Sequence, residues 1–310
     1  MGPESDTESE DESLSVVVVV FAGMPYLRRC LESLRGQDAD EIIVSHDDAL
    51  TDRDSLTSEF PAVTFLGTSG HATFAELRAA GFRAARGAVI ALTEDQCVPV
   101  PEWCARIRAA HSGPYAAVGG PVDKLLPRDG RSDRALNWAQ YLCDFSRYMS
   151  PVPSGASDYL TDTNVAYKRE ALAPIRALWE DEFHETTVNW ALAAAGRELH
   201  LSPDIAVFQH RELSWGPALA ERFAFGRLFA STRAREAGSR RWLFALGSAA
   251  LPAVLTLRVI RNVVGRGRHF GGLARALPAV VILASTWALG ELVGYVTGSA
   301  GGELKPQATG

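Results

Sequence analysis

Three short apolar runs, rich in β-branched residues and spaced through the first third of the chain, limit its fold more than any other feature. They read Leu14-Ser-Val-Val-Val-Val-Val20, Glu41-Ile-Ile-Val-Ser-His-Asp-Asp48 and Ala88-Val-Ile-Ala-Leu-Thr-Glu-Asp-Gln-Cys-Val-Pro99. Continuous apolar runs this short belong to strands buried on both faces, the condition of a parallel sheet. The second and third run straight into carboxylates. In open α/β sheets the carboxyl ends of the strands face the crevice where ligands bind. Acids placed there suit a polar, phosphorylated ligand and a divalent cation.

Helical periodicity fills the intervals. Leu27, Cys30, Leu31 and Leu34 predict a helix over 25–36, and Phe74, Leu77 and Phe82 one over 73–86, with Gly87 as its C-cap. Further elements are a helix over 51–59, a strand over 62–66, a helix over 101–111 and a strand and turn over 116–121. Pro127, Gly130, Pro151, Pro153 and Gly155 break the pattern from 122 to 163, which reads as a long loop region with one helix near 132–147. Helices over 168–178 and 185–195 and a strand over 198–208 follow. Strands alternating with helices through short links predict an α/β class fold, a mostly parallel sheet covered by helices.

Charge is spread unevenly along the 310 residues, and this matters more than the net of −6. Residues 1–13 hold six acids and no base, a disordered acidic leader by composition. Residues 205–310 hold 13 Lys and Arg against 5 Asp and Glu. An acidic body with a basic, apolar tail argues against a nucleic-acid partner and suits an enzyme whose tail meets an anionic membrane. The four cysteines show no Cys-x-x-Cys pairing, and no signal peptide precedes them, so the body is expected to be cytoplasmic and free of disulfides. Cys97, inside the acidic motif, is either a reactive thiol or a small buried filler.

Several segments, in order and spacing, resemble family-2 glycosyltransferases of the GT-A fold. They are Tyr26-Leu-Arg-Arg-Cys-Leu-Glu-Ser-Leu34, Leu77-Arg-Ala-Ala-Gly81, Val98-Pro-Val-Pro-Glu-Trp103, Val118-Gly-Gly-Pro121, Asn164-Val-Ala-Tyr-Lys-Arg-Glu-Ala-Leu172 and Asn189-Trp-Ala-Leu192. The resemblance runs through roughly 14–230 and implies a Rossmann-like nucleotide-sugar-binding domain of membrane-associated bacterial type. It implies transfer of a sugar, hexosyl in type, from a nucleotide-sugar to a hydroxyl acceptor, with inversion. The acceptor is open among a lipid-linked sugar, an envelope glycan and a small molecule.

The resemblance also assigns roles. The family's acidic triplet reads Glu94-Asp95-Gln96 here, with Gln where the final Asp usually stands. Asp95, Gln96 and His210 are the implied ligands of Mg²⁺ or Mn²⁺, which would neutralise the leaving diphosphate, and the neutral Gln96 puts metal dependence in question. Asp47 or Asp48 matches the strand-end carboxylate that recognises the nucleotide base, the register being ambiguous by one position. Arg78 and Glu94 complete the nucleotide site, although the Asn that often follows the family's arginine is Ala79 here, and Phe21-Ala-Gly-Met24 replaces the usual first loop. Counting back from Asn189-Trp190 puts Glu185 in the place of the catalytic base, with Asp181 and Glu182 as competitors. Arg227 matches a segment that closes over the active site. The departures at Gln96, Ala79 and the first loop motivate an alternative, a degenerate GT-A domain that binds nucleotide-sugar or scaffolds partners.

Beyond 230 lie an uncharged run of 16 over 242–257 and one of 15 over 276–290, joined by a link carrying five Arg. A full span needs about 20 apolar residues. Either both runs dip into the inner leaflet, or the first lies in the interface and only the second spans. The expected organisation is a leader over 1–13, the GT-A domain over 14–230, a membrane-associated helical tail over 231–302 and a flexible end over 303–310, at the cell membrane.

Overall fold

The computed structural model describes residues 13–126, 133–158 and 160–301; the leader and the C-terminal end lie outside the described residues, apart from Ser13. Two compact units divide the chain, one within 13–123 and 150–210, the other within 124–149 and 211–301.

The first unit carries the sheet. The three apolar runs become β1 (Leu14–Val19), β2 (Glu41–His46) and β4 (Val89–Glu94), with β3 (Val63–Gly67) at the edge. They interleave with α1 (Tyr26–Leu34), α2 (Arg53–Glu59) and α3 (Phe74–Ala84). Every residue of β1 and β4 is buried, as strands with neighbours on both sides and helices on both faces require. Beyond them come β5 (Cys97–Pro99), α4 (Trp103–His111), β6 (Ala117–Gly119), β7 (Val122–Lys124) and, after α5 (Ala135–Phe145) of the second unit, β8 (Gly155–Ala156) and β9 (Asn164–Lys168). The unit ends with α6 (Arg169–Leu172), a 3₁₀ helix over Ala173–Leu178, α7 (Glu185–Ala194), β10 (Leu199–Leu201) and β11 (Val207–Gln209).

An eight-stranded sheet in the order β3-β2-β1-β4-β9-β6-β10-β8 results, with a second sheet β5-β11-β7 beside it. β9 runs antiparallel to both β4 and β6, and β8 antiparallel to β10; the other pairings are parallel, so the sheet is mostly parallel as expected. Two expectations need correction. The single strand over 198–208 is two strands in different sheets, because Pro203 and Asp204 turn the chain between them. Gly87 does not cap a helix, since α3 ends at Ala84 and is capped at Ala85. A Cβ at Gly87 would strike the Ser15 backbone N and side chain, so glycine is needed where the chain passes against β1.

The second unit is helical. It holds α5, α8 (Trp215–Ala237), α9 (Arg241–Gly247), α10 (Leu251–Arg266) and α11 (Phe270–Thr297). Side chains at Gly290 and Gly294 would collide with the Phe223 and Arg227 carbonyls, and one at Gly226 with the Trp287 carbonyl. α8 and α11 therefore meet backbone to backbone, the close approach that small residues permit. Buried charges are paired: Arg211 forks onto Glu221 at 2.7 and 2.6 Å, Arg222 meets Asp144, and the Trp287 indole donates to Glu291 at 2.6 Å. Among the described residues two helical stretches, Gly238–Arg266 and Phe270–Thr297, are long and apolar enough to cross a membrane, by length and composition.

Candidate active site

The site forms where β4 ends. Asp95 is fully buried, and its Oδ2 accepts from the Ala22 and Gly23 amides at 2.8 and 2.6 Å. A carboxylate taking two main-chain donors is a strong clamp. It pins the loop between β1 and α1, the loop that departs from the family pattern.

Glu94 points to a cluster built around Arg78. The capping box at the head of α3, Thr73 with Glu76, fixes that helix, and Arg78 lies a turn later. Its guanidinium meets Asp162 at 2.5 Å and Glu94 at 3.7 Å, and lies over the Phe21 ring at 5.5 Å. The Thr163 hydroxyl donates to Glu94 at 3.3 Å. Arg78 is 8% exposed, so this is a largely desolvated ion cluster and not a solvated helix surface.

Glu185 opens α7. The helix is held by Asn189, one turn on, which accepts from the Tyr167 hydroxyl and donates to the Leu160 carbonyl, both at 2.9 Å. The Asn-Trp motif thus works through Asn189 as an anchor, while Trp190 is exposed. Burial pushes the Glu185 carboxyl up to about 7; the Asp162 charge adds to the rise, and Arg78 opposes it. Asp181 and Glu182 lie in the solvent.

At the end of β2 the two candidate acids differ in place. Asp47 is 2% exposed, with Oδ1 accepting from the Ala49 amide and Oδ2 lying 3.6 Å from His71 Nδ1. Asp48 is exposed and accepts from the Gly70 amide at 2.7 Å, closing the loop after β3. Between the two registers, Asp47 has the buried, strand-end geometry.

The three residues expected to hold a cation do not fit one as they stand. Gln96 Oε1 faces the Gln209 amide at 3.4 Å, His210 Nδ1 faces Arg29 Nη1 at 3.1 Å, and of the Asp95 carboxylate Oδ2 is engaged by the first loop. Among the described residues there is no group of three or more His, Cys, Asp or Glu that could hold a metal ion. Cys97 is fully buried, its thiol held well above the ordinary value by burial, which makes it a packing residue.

Sequence reasoning missed Asp162 and Arg29. Asp162 sits in the Pro- and Gly-broken stretch, where no period marks it; its one signal was standing two residues before Asn164, the head of a recognised segment. Arg227 belongs to the second unit, where its Nε donates to the Ser299 carbonyl at 2.9 Å.

The family model for glycosyl transferase family 2 matches residues 15–176. No curated protein matches the chain. Among solved structures, the chain is similar to mannosyltransferase PcManGT from Pyrobaculum calidifontis, in complex with GDP-Man and Mn²⁺. The two are 14% identical with a TM-score of 0.50, over 87% of this chain and 85% of that one. At that identity the likeness speaks for the fold.

Proposed function

The chain belongs to glycosyl transferase family 2, and on that premise we propose that it moves a hexosyl group from a nucleotide-sugar to a hydroxyl acceptor with inversion, Glu185 acting as the base. The observation that carries this reading is the Glu185 carboxyl, raised to about 7 beside the Asp162–Arg78–Glu94 cluster. A base that titrates near neutrality is matched to its task.

In one in-line displacement, the acceptor hydroxyl gives its proton to Glu185 while its oxygen bonds to the anomeric carbon. The bond from that carbon to the diphosphate breaks, and the nucleoside diphosphate leaves with the electron pair. Attack from the face opposite the leaving group inverts the centre. The Asp162 charge adds to the basicity of Glu185, and Arg78, paired with Asp162 and Glu94, limits that rise. Asp47 would accept from an N–H of the base, its buried carboxylate giving that bond weight. PcManGT was solved with GDP-Man and Mn²⁺, which supports a hexose donor here. Among the described residues no group of three or more His, Cys, Asp or Glu is placed to hold the cation.

The exposed apolar helices support residence at the cell membrane, and with it a lipid-linked or envelope-glycan acceptor. A panel of nucleotide-sugars, with release of nucleoside diphosphate followed by chromatography, tests the reading. One donor is expected to turn over, faster with its acceptor present; none turning over, with any acceptor class, would leave the binding-domain alternative.

A further inference from the structure

We infer that Arg29, held beside the His210 imidazole, receives the donor's diphosphate at the place where a divalent cation was expected; this rests on the reading of nucleotide-sugar transfer. The acidic triplet ends in Gln96, which is 3% exposed and neutral. Its carbonyl accepts from the His210 amide at 2.9 Å, so β4, β5 and the chain leaving β11 meet at one point. A carboxylate there would draw a cation more strongly than the neutral Gln96, whose Oε1 faces an amide donor at 3.4 Å.

A fixed positive charge stands at this point already. Arg29 is exposed on α1, and its Nη1 lies 3.1 Å from His210 Nδ1. A guanidinium can only donate, so Nδ1 is the acceptor in this contact. No described carboxylate pairs with Arg29. A dication on this imidazole would sit against a like charge, whereas an anion would meet the guanidinium fork. Planar donors in a fork match phosphate oxygens in pairs.

The acidic motif sets Arg29 in position. Asp95 holds the Ala22 and Gly23 amides, the Gly23 carbonyl accepts from Leu27 at 3.0 Å, and the Pro25 carbonyl accepts from Arg29 itself at 3.3 Å. The carboxylate expected to face a metal thus acts through the first loop and α1. Arg29 is a diphosphate-binding residue, and Asp95 a positioning residue behind it.

Calorimetric titration of the full chain with UDP, GDP, ADP, CDP and dTDP, in EDTA and in Mn²⁺, tests this. The preferred nucleotide is expected to bind in EDTA within about threefold of its affinity in Mn²⁺. Arg29→Ala should weaken it by about tenfold or more in EDTA, the worth of a charge-assisted bond. Arg29→Lys should recover part of the loss, and the bare nucleoside should bind all three proteins alike. Gln96→Asp should make binding cation-dependent. Wild-type affinity lost in EDTA, or Arg29→Ala binding as tightly as the wild type, overturns the inference and leaves the transfer reading standing. If no nucleoside diphosphate binds under either condition, both fall.

Discussion

A glutamate that is to take a proton from a hydroxyl near neutral pH must hold protons more tightly than an ordinary carboxylate, and Glu185 does so through burial and the Asp162 charge. The base works when deprotonated, so kcat/KM should climb with pH up to about 7 and level above it. Glu185→Gln should lower kcat by roughly 10²–10⁴ and abolish that limb, with nucleotide affinity kept. Stability moves the other way. Between 4.5 and about 7 the folded chain keeps a proton that the unfolded chain has lost, so this group's contribution falls as pH rises through that window. The unfolding temperature of Glu185→Gln should therefore gain on the wild type as pH rises through it. A flat rate profile, or the same rate loss in Asp181→Asn, would move the base elsewhere. The place of Glu185 at the head of α7 was legible because its distance from Asn189-Trp190 is fixed by one helical turn. Its partner Asp162 was not, since a lone acid in an aperiodic loop gains meaning only when folding brings Arg78 to within 2.5 Å of it.

At the scale of elements, the strands in the first half of the chain could be read because each is a dense apolar run bounded by polar residues. β8, β10 and β11 are only two or three residues long, and the pairing that defines them comes from distant strands, which no local pattern encodes. The contact of α8 with α11 was equally silent. Gly290 and Gly294 gain their meaning from the Phe223 and Arg227 carbonyls lying against them. Gly290→Leu should force the helices apart and lower stability by about 1–3 kcal/mol, the usual cost of overpacking. Gly265 on α10 has open space around it, so Gly265→Ala should stabilise by about 0.5–1 kcal/mol through helix propensity alone. Thermal unfolding of the two variants checks both signs. Equal effects at the two positions would mean that the close helix contact contributes little.

For the molecule as a whole, the excess of positive charge after residue 204 coincides with its least buried apolar surface. Only 17% of the apolar window in Gly238–Arg266 is buried, against 44% in Phe270–Thr297. Leu243 and Leu246 are 67% and 77% exposed, and Arg240, Arg241, Arg258 and Arg261 lie before and after them on the same stretch. An apolar face carrying cations fits the surface of an anionic bilayer, where each such charge contributes about 1 kcal/mol. Of the two arrangements open from the sequence, this favours the first run lying in the interface, because a helix so little covered by its own protein needs lipid along its length. Wild-type protein should float with vesicles of phosphatidylglycerol and phosphatidylcholine, and less so with phosphatidylcholine alone or at ionic strength of about 0.5 M. Leu243→Lys with Leu246→Lys should remain in the soluble fraction while still releasing nucleoside diphosphate from its donor, since both side chains are exposed. Flotation unchanged by the double substitution, yet lost on removing residues 1–13, would assign the membrane contact to the leader and overturn this reading.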